Sequence, residues 1–288
     1  MDPEGSGEPQ GGAPVDPEGS GEPQGGAPVN RGRVRFELLL GQVLAALPGP
    51  PARVVDAGGG TGQLAVALAR RGYQVTVVDT SAAMLATCAQ RAAGEGAEVG
   101  ARLATVQGDA ADLPALLGPA SRDAAVCHDL ITQVDDPAAV LAALAGVLGD
   151  GGVLSLGFAN RDWLVLRAGR RGEHGSALRL VHDREAGSVA PGPSERARRV
   201  AGRPPAPAMT LAEVEAELER AGFEPVAASG VGVFVDSGDD DPDPAGLSAL
   251  VELERLVATR EPYRSSARTV HVVGRRRTLR PDLAGYTP

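Results

Sequence analysis

The chain has 288 residues and a formal net charge of −9, of which −6 belongs to the first 29 residues. Those residues are an acidic tandem repeat, because Asp2–Val15 recurs letter for letter as Asp16–Val29. A segment of Pro, Gly, Glu and Ser without aromatic residues buries too little apolar surface to offset its chain entropy, so we expect residues 1–29 to be disordered. The remaining chain carries only −3, so the acidic balance excludes no class of partner for the folded part.

The cysteines and the apolar runs exclude several other classes of protein. Cys88 and Cys127 form no C-x-x-C pair, so neither a zinc site nor a disulfide framework is indicated, and we expect no metal. No basic segment followed by an apolar core opens the chain, and no apolar run approaches the ~18 residues of a membrane span. We therefore expect a soluble, cytoplasmic protein.

Apolar runs and helical patterns alternate along the chain. The predicted strands are Arg53–Ala57, Val75–Asp79, Leu103–Gln107, Ala124–Cys127, Val153–Phe158, Phe223–Val235 and Thr269–Val273. The predicted helices are Thr61–Arg71, one that Ser81 caps, one between Asp136 and Gly151, one that a capping box opens at Thr210, and Pro244–Arg260. This alternation predicts an α/β fold with a doubly wound, mostly parallel, seven-stranded Rossmann-like sheet.

The alternation is interrupted after the fifth predicted strand. Residues 161–207 hold ten arginines against five acids, with prolines and glycines scattered through the second half. We interpret 161–208 as an arginine-rich insertion or cap. The predicted organisation is a disordered repeat at 1–29, one folded domain at 30–277 and a C-terminal tail at 278–288.

A glycine turn after the first strand is the strongest functional signal. Gly58, Gly60 and Gly62 form a G-x-G-x-G pattern, and the next strand ends in Asp79. In this arrangement the turn at Gly58–Gly60 presses against a nucleoside-like cofactor while Asp79 accepts hydrogen bonds from a ribose. The dinucleotide pattern would have Gly or Ala at Gln63, which disfavours a nicotinamide-dependent oxidoreductase.

Two further carboxylates sharpen the choice of cofactor. Asp56, at the end of the first strand, favours a positive ligand group such as a sulfonium or an amino group over a pyrophosphate. Asp109, with Ala110 and Ala111, follows the third strand, where a side-chain acceptor and a backbone N–H could read an adenine edge. The alternative for Asp79 and Asp109 is that each carboxylate only caps the turn after its strand.

Further motifs along the chain accompany the glycine turn. They are Gly32-x-Val-Arg35, Asp79-x-Ser-Ala-x-Met84, His128 at a strand end, the stretch from Gly151 to Asn160, Gly230-Val-x-Val-Phe234, Leu253-Glu254, Glu261-Pro-Tyr263 and Arg268-x-x-His271. Together these residues resemble the class I S-adenosylmethionine-dependent methyltransferases. Within that class, the stretch from about Gly32 to Arg275 is most similar to the bacterial tRNA 5-carboxymethoxyuridine methyltransferases.

The resemblance implies S-adenosylmethionine as the cofactor and assigns roles to several residues. It implies that Arg35 binds the methionine carboxylate, that Asp79 holds the ribose, and that His128 lies beside the cofactor at the reaction face. It further implies that Gly58 and Gly59 line the cofactor and that Ala110 and Ala111 border the adenine. The alternatives are a surface arginine at Arg35 and a histidine that only completes a strand end at His128.

The same resemblance implies a reaction. The nucleophile would be the carboxylate of a modified wobble uridine in tRNA, and the product a methyl ester. A carboxylate with a pKa near ~4 is already ionised at neutral pH, so no general base is needed. Arg268, or an arginine of the 161–203 cluster, is the candidate to hold the substrate carboxylate, although Arg268 could instead anchor the last strand.

Some features depart from this family. A tryptophan expected shortly after His128 is missing, and the acidic stretch 237–244 would repel a phosphate backbone. Two alternatives therefore stay open: a small-metabolite O- or N-methyltransferase with 161–208 as a lid, and a non-catalytic protein that binds S-adenosylmethionine.

Overall fold

A computed structural model of the chain describes residues 31–185, 208–235 and 244–278. The acidic repeat 1–29, the second half of the arginine-rich insertion, most of the acidic stretch 237–244 and most of the tail 278–288 lie outside the described residues. Within the described ranges, no helix is long and apolar enough to cross a membrane.

Seven strands form one sheet, as the sequence predicts. They are β1 Arg53–Ala57, β2 Gln74–Asp79, β3 Leu103–Gln107, β4 Arg122–His128, β5 Leu148–Ala159, β6 Phe223–Val231 and β7 Thr269–Arg276. Their order in the sheet is β3-β2-β1-β4-β5-β7-β6. All neighbours from β3 to β5 pair in parallel, whereas β7 runs antiparallel to both β5 and β6. The doubly wound, mostly parallel prediction is confirmed.

Helices cover both faces of the sheet. They are α1 Arg31–Ala46, α2 Gln63–Ala69, α3 Ala82–Gly94, α4 Ala97–Ala101, α5 Leu113–Leu117, α6 Pro137–Val147, α7 Arg161–Arg170, α8 His174–Glu185, α9 Leu211–Arg220, α10 Pro244–Val257 and α11 Tyr263–Ser266. Successive residues of β1 separate the two cores: Val54 packs in the cluster that holds α1 and α2, and Val55 packs in the cluster that holds α6 and α9. The parallel pairing of β1 with β2 and β4 places the carboxyl ends of all three strands at one edge of the sheet.

The insertion after β5 is anchored to the sheet by two residues at its start. The buried side chain of Asn160 donates to the backbone carbonyls of Ser265 (2.7 Å) and Ala267 (2.8 Å). Arg161, only 5% exposed, donates to the carbonyl of Ala208 (2.7 Å) and to the Glu213 carboxylate (2.8 Å). The insertion therefore begins with two helices, α7 and α8, whose base is fixed to α9 and to the segment from α11 to the start of β7.

The helix predicted at Thr210 begins there with the expected capping box. The Thr210 side chain accepts from the backbone N–H of Glu213, and the Glu213 carboxylate accepts from the Thr210 N–H at 2.8 Å. Glu213 also pairs with Arg161, which removes Arg161 from the arginines that could contact a substrate.

Strand β6 ends earlier than the apolar pattern to Val235 predicts, because the next backbone groups have another partner. The Glu254 carboxylate, 1% exposed, accepts from the backbone N–H groups of Val233 (3.1 Å), Phe234 (2.7 Å) and Val235 (3.0 Å). A side chain on α10 thus replaces the ladder hydrogen bonds that a longer strand would make.

We expect Glu254→Ala to destabilise the fold by about 3 kcal/mol, since three buried N–H groups would lose their acceptor. Glu252→Ala is the matched control, because Glu252 is an exposed residue two positions away on the same helix. Urea unfolding of both variants measures the difference. Equal midpoints for the two variants would contradict the structural role of the Glu254 carboxylate.

Candidate functional site

The glycine turn joins β1 to α2 and is fixed to the end of β2. The Gly58 N–H donates to the carbonyl of Val78 at 2.8 Å, and the Gly62 N–H donates to the carbonyl of Gly59 at 2.9 Å. Gly58, Gly60 and Gly62 all have φ between +54° and +71°, which other residues rarely adopt. The sequence pattern therefore reflects backbone conformation as well as ligand binding.

Close packing below the turn requires glycine at two positions. A Cβ on Gly59 would lie 2.5 Å from Oδ2 of Asp56, and a Cβ on Gly62 would lie 2.2 Å from Sγ of Cys88. Gly60 differs, because a Cβ there would meet only Oδ2 of Asp79, at 4.0 Å. The turn is thus packed on its inner side and open at Gly60, where a ligand could approach the backbone.

Asp79 holds the turn with both carboxylate oxygens. Its Oδ2 accepts from the Gly60 N–H at 3.0 Å, and its Oδ1 accepts from the Ser81 N–H at 2.8 Å. Asp79 therefore caps the turn after its strand, which is the alternative role that the sequence left open. Each oxygen has a second lone pair, so Asp79 can hold the turn and still accept from ribose hydroxyls.

Asp56 is a buried carboxylate beside the turn. It is 3% exposed, and its Oδ2 has no hydrogen-bond partner within the described ranges. Burial, and then the nearby charge of Asp79, raise the pKa of Asp56 to about 7. Two carboxylates beside one turn create a negative site that suits a sulfonium or ammonium group and opposes a pyrophosphate.

Asp109, Ala110 and Ala111 follow β3 as the sequence predicts, in a 3-10 turn at Ala110–Asp112. The Asp109 carboxylate accepts from the Ala111 N–H at 2.9 Å, so this N–H is already used within the turn. Ala110 is buried and Ala111 is exposed. Their contact with adenine stays a prediction.

His128 ends β4 and faces the interior of the sheet rather than open solvent. Its Nε2 lies 3.0 Å from Oγ of Ser155, and its Nδ1 is covered, with no hydrogen-bond partner among the residues described. Desolvation, with a further contribution from His271, lowers the pKa of His128 to about 3. The imidazole is therefore neutral at physiological pH, and its role beside the cofactor stays a prediction.

Asp129, directly after His128, connects the end of β4 to β5 and faces the residue that precedes β7. Its φ of +60° is rare outside glycine, and its backbone N–H donates to the carbonyl of Gly157 at 2.8 Å. Partial desolvation raises the pKa of the Asp129 carboxyl, and the positive charge of Arg268 opposes that rise. Asp129 and Arg268 therefore face each other at this edge of the sheet.

Arg268 lies against an aromatic ring that the sequence reasoning missed. Its guanidinium carbon is 5.3 Å from the ring centroid of Trp163 on α7, and that of Arg167 is 5.2 Å from the same ring. Cations over a tryptophan face are attracted by the ring quadrupole. Trp163 is the single tryptophan of the chain, and Arg167 follows it by four residues. Side chains at this spacing are neighbours on one face of a helix, so the pair could have been predicted from the sequence.

Arg35 on α1 approaches the same region through Gly232. A Cβ on Gly232 would lie 3.3 Å from Cδ of Arg35 and 3.6 Å from Cβ of Arg268. On the other side, a Cβ on Gly58 would lie 2.9 Å from Cδ1 of Leu130. The loop after β4 thus lies between the glycine turn and the two arginines.

The donor set fits S-adenosylmethionine, the cofactor that the resemblance implies. The open backbone at Gly60 and the remaining lone pairs of Asp79 match the ribose of a nucleoside, and the buried Asp56 carboxylate on the inner side of the turn favours a positive charge on it. A cavity of about 310 Å³ lies elsewhere, between α1 and α10. Within the described ranges, no group of three or more His, Cys, Asp or Glu side chains could hold a metal ion.

Comparisons with known proteins agree with this geometry. Residues 55–156 match the methyltransferase domain family. The chain is 33% identical over 253 residues to the tRNA 5-carboxymethoxyuridine methyltransferase of Escherichia coli K12, covering 85% of this chain and 89% of that protein. It is 36% identical over 128 residues to the ubiquinone biosynthesis O-methyltransferase of Xanthomonas campestris strain B100, covering 44% of this chain and 50% of that protein.

A solved structure supports the fold. A methyltransferase of Thermotoga maritima, described as S-adenosylmethionine-dependent and as a possible histamine N-methyltransferase, has a TM-score of 0.55 at 20% identity. The match covers 86% of this chain and 92% of that one.

The raised pKa of Asp56 predicts a pH-dependent stability difference. A carboxyl that ionises at about 7 when folded and near 3.8 when unfolded costs no stability below pH 3.8, and the cost is fully present above pH 7. Asp56→Asn removes this cost, so the cofactor-free variant should exceed wild type by about 4 kcal/mol at pH 8 and by less than about 1 kcal/mol at pH 4. Urea unfolding at both pH values measures the gain, and an equal difference at both would contradict the assignment.

Proposed function

The chain belongs to the class I S-adenosylmethionine-dependent methyltransferases, and from this premise we propose that it methylates the carboxylate of 5-carboxymethoxyuridine in tRNA to a methyl ester. The cofactor is S-adenosylmethionine. Support for the tRNA acceptor comes from the E. coli relative, whose similarity extends over 85% of the chain and includes the residues after β5.

The observation that carries this proposal is the Arg268–Trp163 pair beside the end of β4. A modified uridine offers a planar base and a carboxylate, and an arginine next to an aromatic ring provides one partner for each. Base–aromatic stacking is worth about 1–3 kcal/mol per base, and a base that stacks on Trp163 would take the place of Arg167 or Arg268 over the ring.

The proposed reaction needs positioning more than proton transfer. S-adenosylmethionine, when bound, supplies a methyl group on a positively charged sulfur. The acceptor carboxylate is ionised at neutral pH, so the neutral His128 has no proton to remove from it. Arg268 would orient the carboxylate, Asp56 and Asp79 would favour the positive cofactor, and such alignment can supply on the order of 7–11 kcal/mol.

We further propose that residues 30–277 form one methyltransferase domain, with 161–208 as its cap and with 1–29 and 278–288 as appended segments. The exposed arginines of the cap that the structure describes are candidates for phosphate contacts: Arg167, Arg170, Arg171 and Arg179. Arg161 is excluded from that role by its buried ion pair with Glu213.

A small-metabolite acceptor is the second candidate. The chain has only 3% aromatic residues, which gives few stacking platforms for bases. The ubiquinone biosynthesis O-methyltransferase of X. campestris, whose name gives a small-molecule pathway, matches only 44% of the chain. A protein that binds the cofactor without turnover is a third possibility for the same site.

Transfer of labelled methyl groups distinguishes these three candidate functions directly. We expect the protein with methyl-labelled S-adenosylmethionine to label bacterial tRNA that contains 5-carboxymethoxyuridine, and mild alkali to release the label as methanol, because a methyl ester hydrolyses. tRNA without the modified base is the control. Label only in a small-metabolite extract would overturn the tRNA proposal, and cofactor binding without any transfer would favour the non-catalytic protein.

Arg268→Ala tests how the carboxylate is held. We expect wild type to bind tRNA with the carboxymethoxy group more tightly than the same tRNA without it, and Arg268→Ala to bind both about equally, because the variant lacks the guanidinium. Arg170→Ala is the control: this exposed arginine on α7 should change both affinities together. Filter binding at fixed salt gives the four constants, and discrimination that survives in Arg268→Ala would exclude this role.

A further inference from the structure

One serine hydroxyl lies between two imidazoles in the centre of the sheet. Oγ of Ser155 on β5 is 3.0 Å from Nε2 of His128 and 2.8 Å from Nε2 of His271 on β7. Ser155 is fully buried, His271 is 1% exposed, and the two ring centroids are 5.7 Å apart. The Arg268-x-x-His271 motif of the sequence thus reaches the cofactor side of the sheet through Ser155.

A hydroxyl has one proton, so this bridge has a direction. The two imidazoles are the partners of this buried hydroxyl among the described residues, so one imidazole accepts the O–H proton and the other donates to Oγ through N–H. Burial lowers the pKa of His271 to about 4, and the pKa of His128 is about 3, so both rings are neutral and each carries one proton. The ring nitrogen that carries the proton on His128 therefore determines the direction of both hydrogen bonds, from His128 to Ser155 and from Ser155 to His271.

The surroundings of His128 select one of the two directions. Its Nδ1 is buried without a partner, and a Cβ on Gly157 would lie 2.9 Å from this nitrogen. A proton on Nδ1 would point at the Gly157 methylene and find no acceptor. A buried N–H group would then lack a hydrogen bond, which destabilises this tautomer. The proton therefore belongs on Nε2, where it donates to Ser155, and Ser155 in turn donates to Nε2 of His271.

We propose that Ser155 and His271 are positioning residues that hold His128 as its Nε2-protonated tautomer, with Nδ1 as the acceptor for the ammonium group of S-adenosylmethionine. This inference rests on the proposed place of His128 beside the cofactor, not on the identity of the methyl acceptor. Nδ1 is covered in the cofactor-free chain, so accepting a ligand donor requires a small opening at the ring edge.

Nitrogen NMR of the histidine side chains tests the tautomer, since the chain has only four histidines. His174→Gln and His182→Gln, at two exposed positions of α8, assign those two signals, and His271→Gln assigns a third, so that the remaining signal belongs to His128. In cofactor-free wild type at pH 7, we expect Nε2 of His128 to carry the proton and Nδ1 to be bare. S-adenosylhomocysteine, which keeps the ammonium group, should shift the Nδ1 signal and leave His174 and His182 unchanged.

Two variants of His271 separate positioning from simple packing. His271→Gln retains an acceptor for the Ser155 hydroxyl, so the tautomer and the affinity for S-adenosylhomocysteine should stay near wild type. His271→Leu fills the space without an acceptor, so Ser155 would turn its proton toward His128, the tautomer should change, and the affinity should fall by about three- to tenfold. Ser155→Ala should give the same loss, and calorimetry with circular dichroism verifies that each variant is folded.

A bare Nε2 in wild type, an unshifted Nδ1 signal on ligand binding, or equal affinities of His271→Gln and His271→Leu would each overturn the inference. Because no tRNA is used, failure here is distinct from failure of the tRNA proposal, which the label experiment decides alone.

Discussion

The site depends on the attachment of one turn to two neighbouring strands. The Gly58 N–H binds the end of β2 through Val78, and the Asp79 carboxylate binds the turn through Gly60. These bonds fix the turn before any ligand arrives, so cofactor binding need not order the loop. Preorganisation of this kind lowers the entropy cost of binding.

The order of the strands brings charged and aromatic side chains from distant parts of the sequence to the same edge of the sheet. Because β4 lies next to β1, its end places His128 and Asp129 beside the turn, and the antiparallel β7 brings Arg268 and His271 to the same edge. Residues that are more than a hundred positions apart thus share one site. The strand order, more than any single motif, determines which side chains can act together.

Much of the fold and part of the site could be predicted from the sequence. The alternation of strands and helices was enough for the sheet, and the glycine pattern with Asp56 and Asp79, together with the family resemblance, was enough for the cofactor. The early end of β6 could not be predicted, because it depends on Glu254, a side chain of a helix about twenty residues later. Likewise, Arg161 reads as one more surface arginine, and only the packing shows that it belongs to Glu213.

The buried carboxylate of Asp56 makes the charge of this region depend on pH. With a pKa near 7, the carboxyl is partly ionised and partly protonated at neutral pH, and burial disfavours the ionised form. A positively charged ligand bound near Asp56 would stabilise the ionised form and lower this pKa, whereas a neutral ligand would leave it unchanged. The charge of a ligand and the protonation of the empty protein are thus linked.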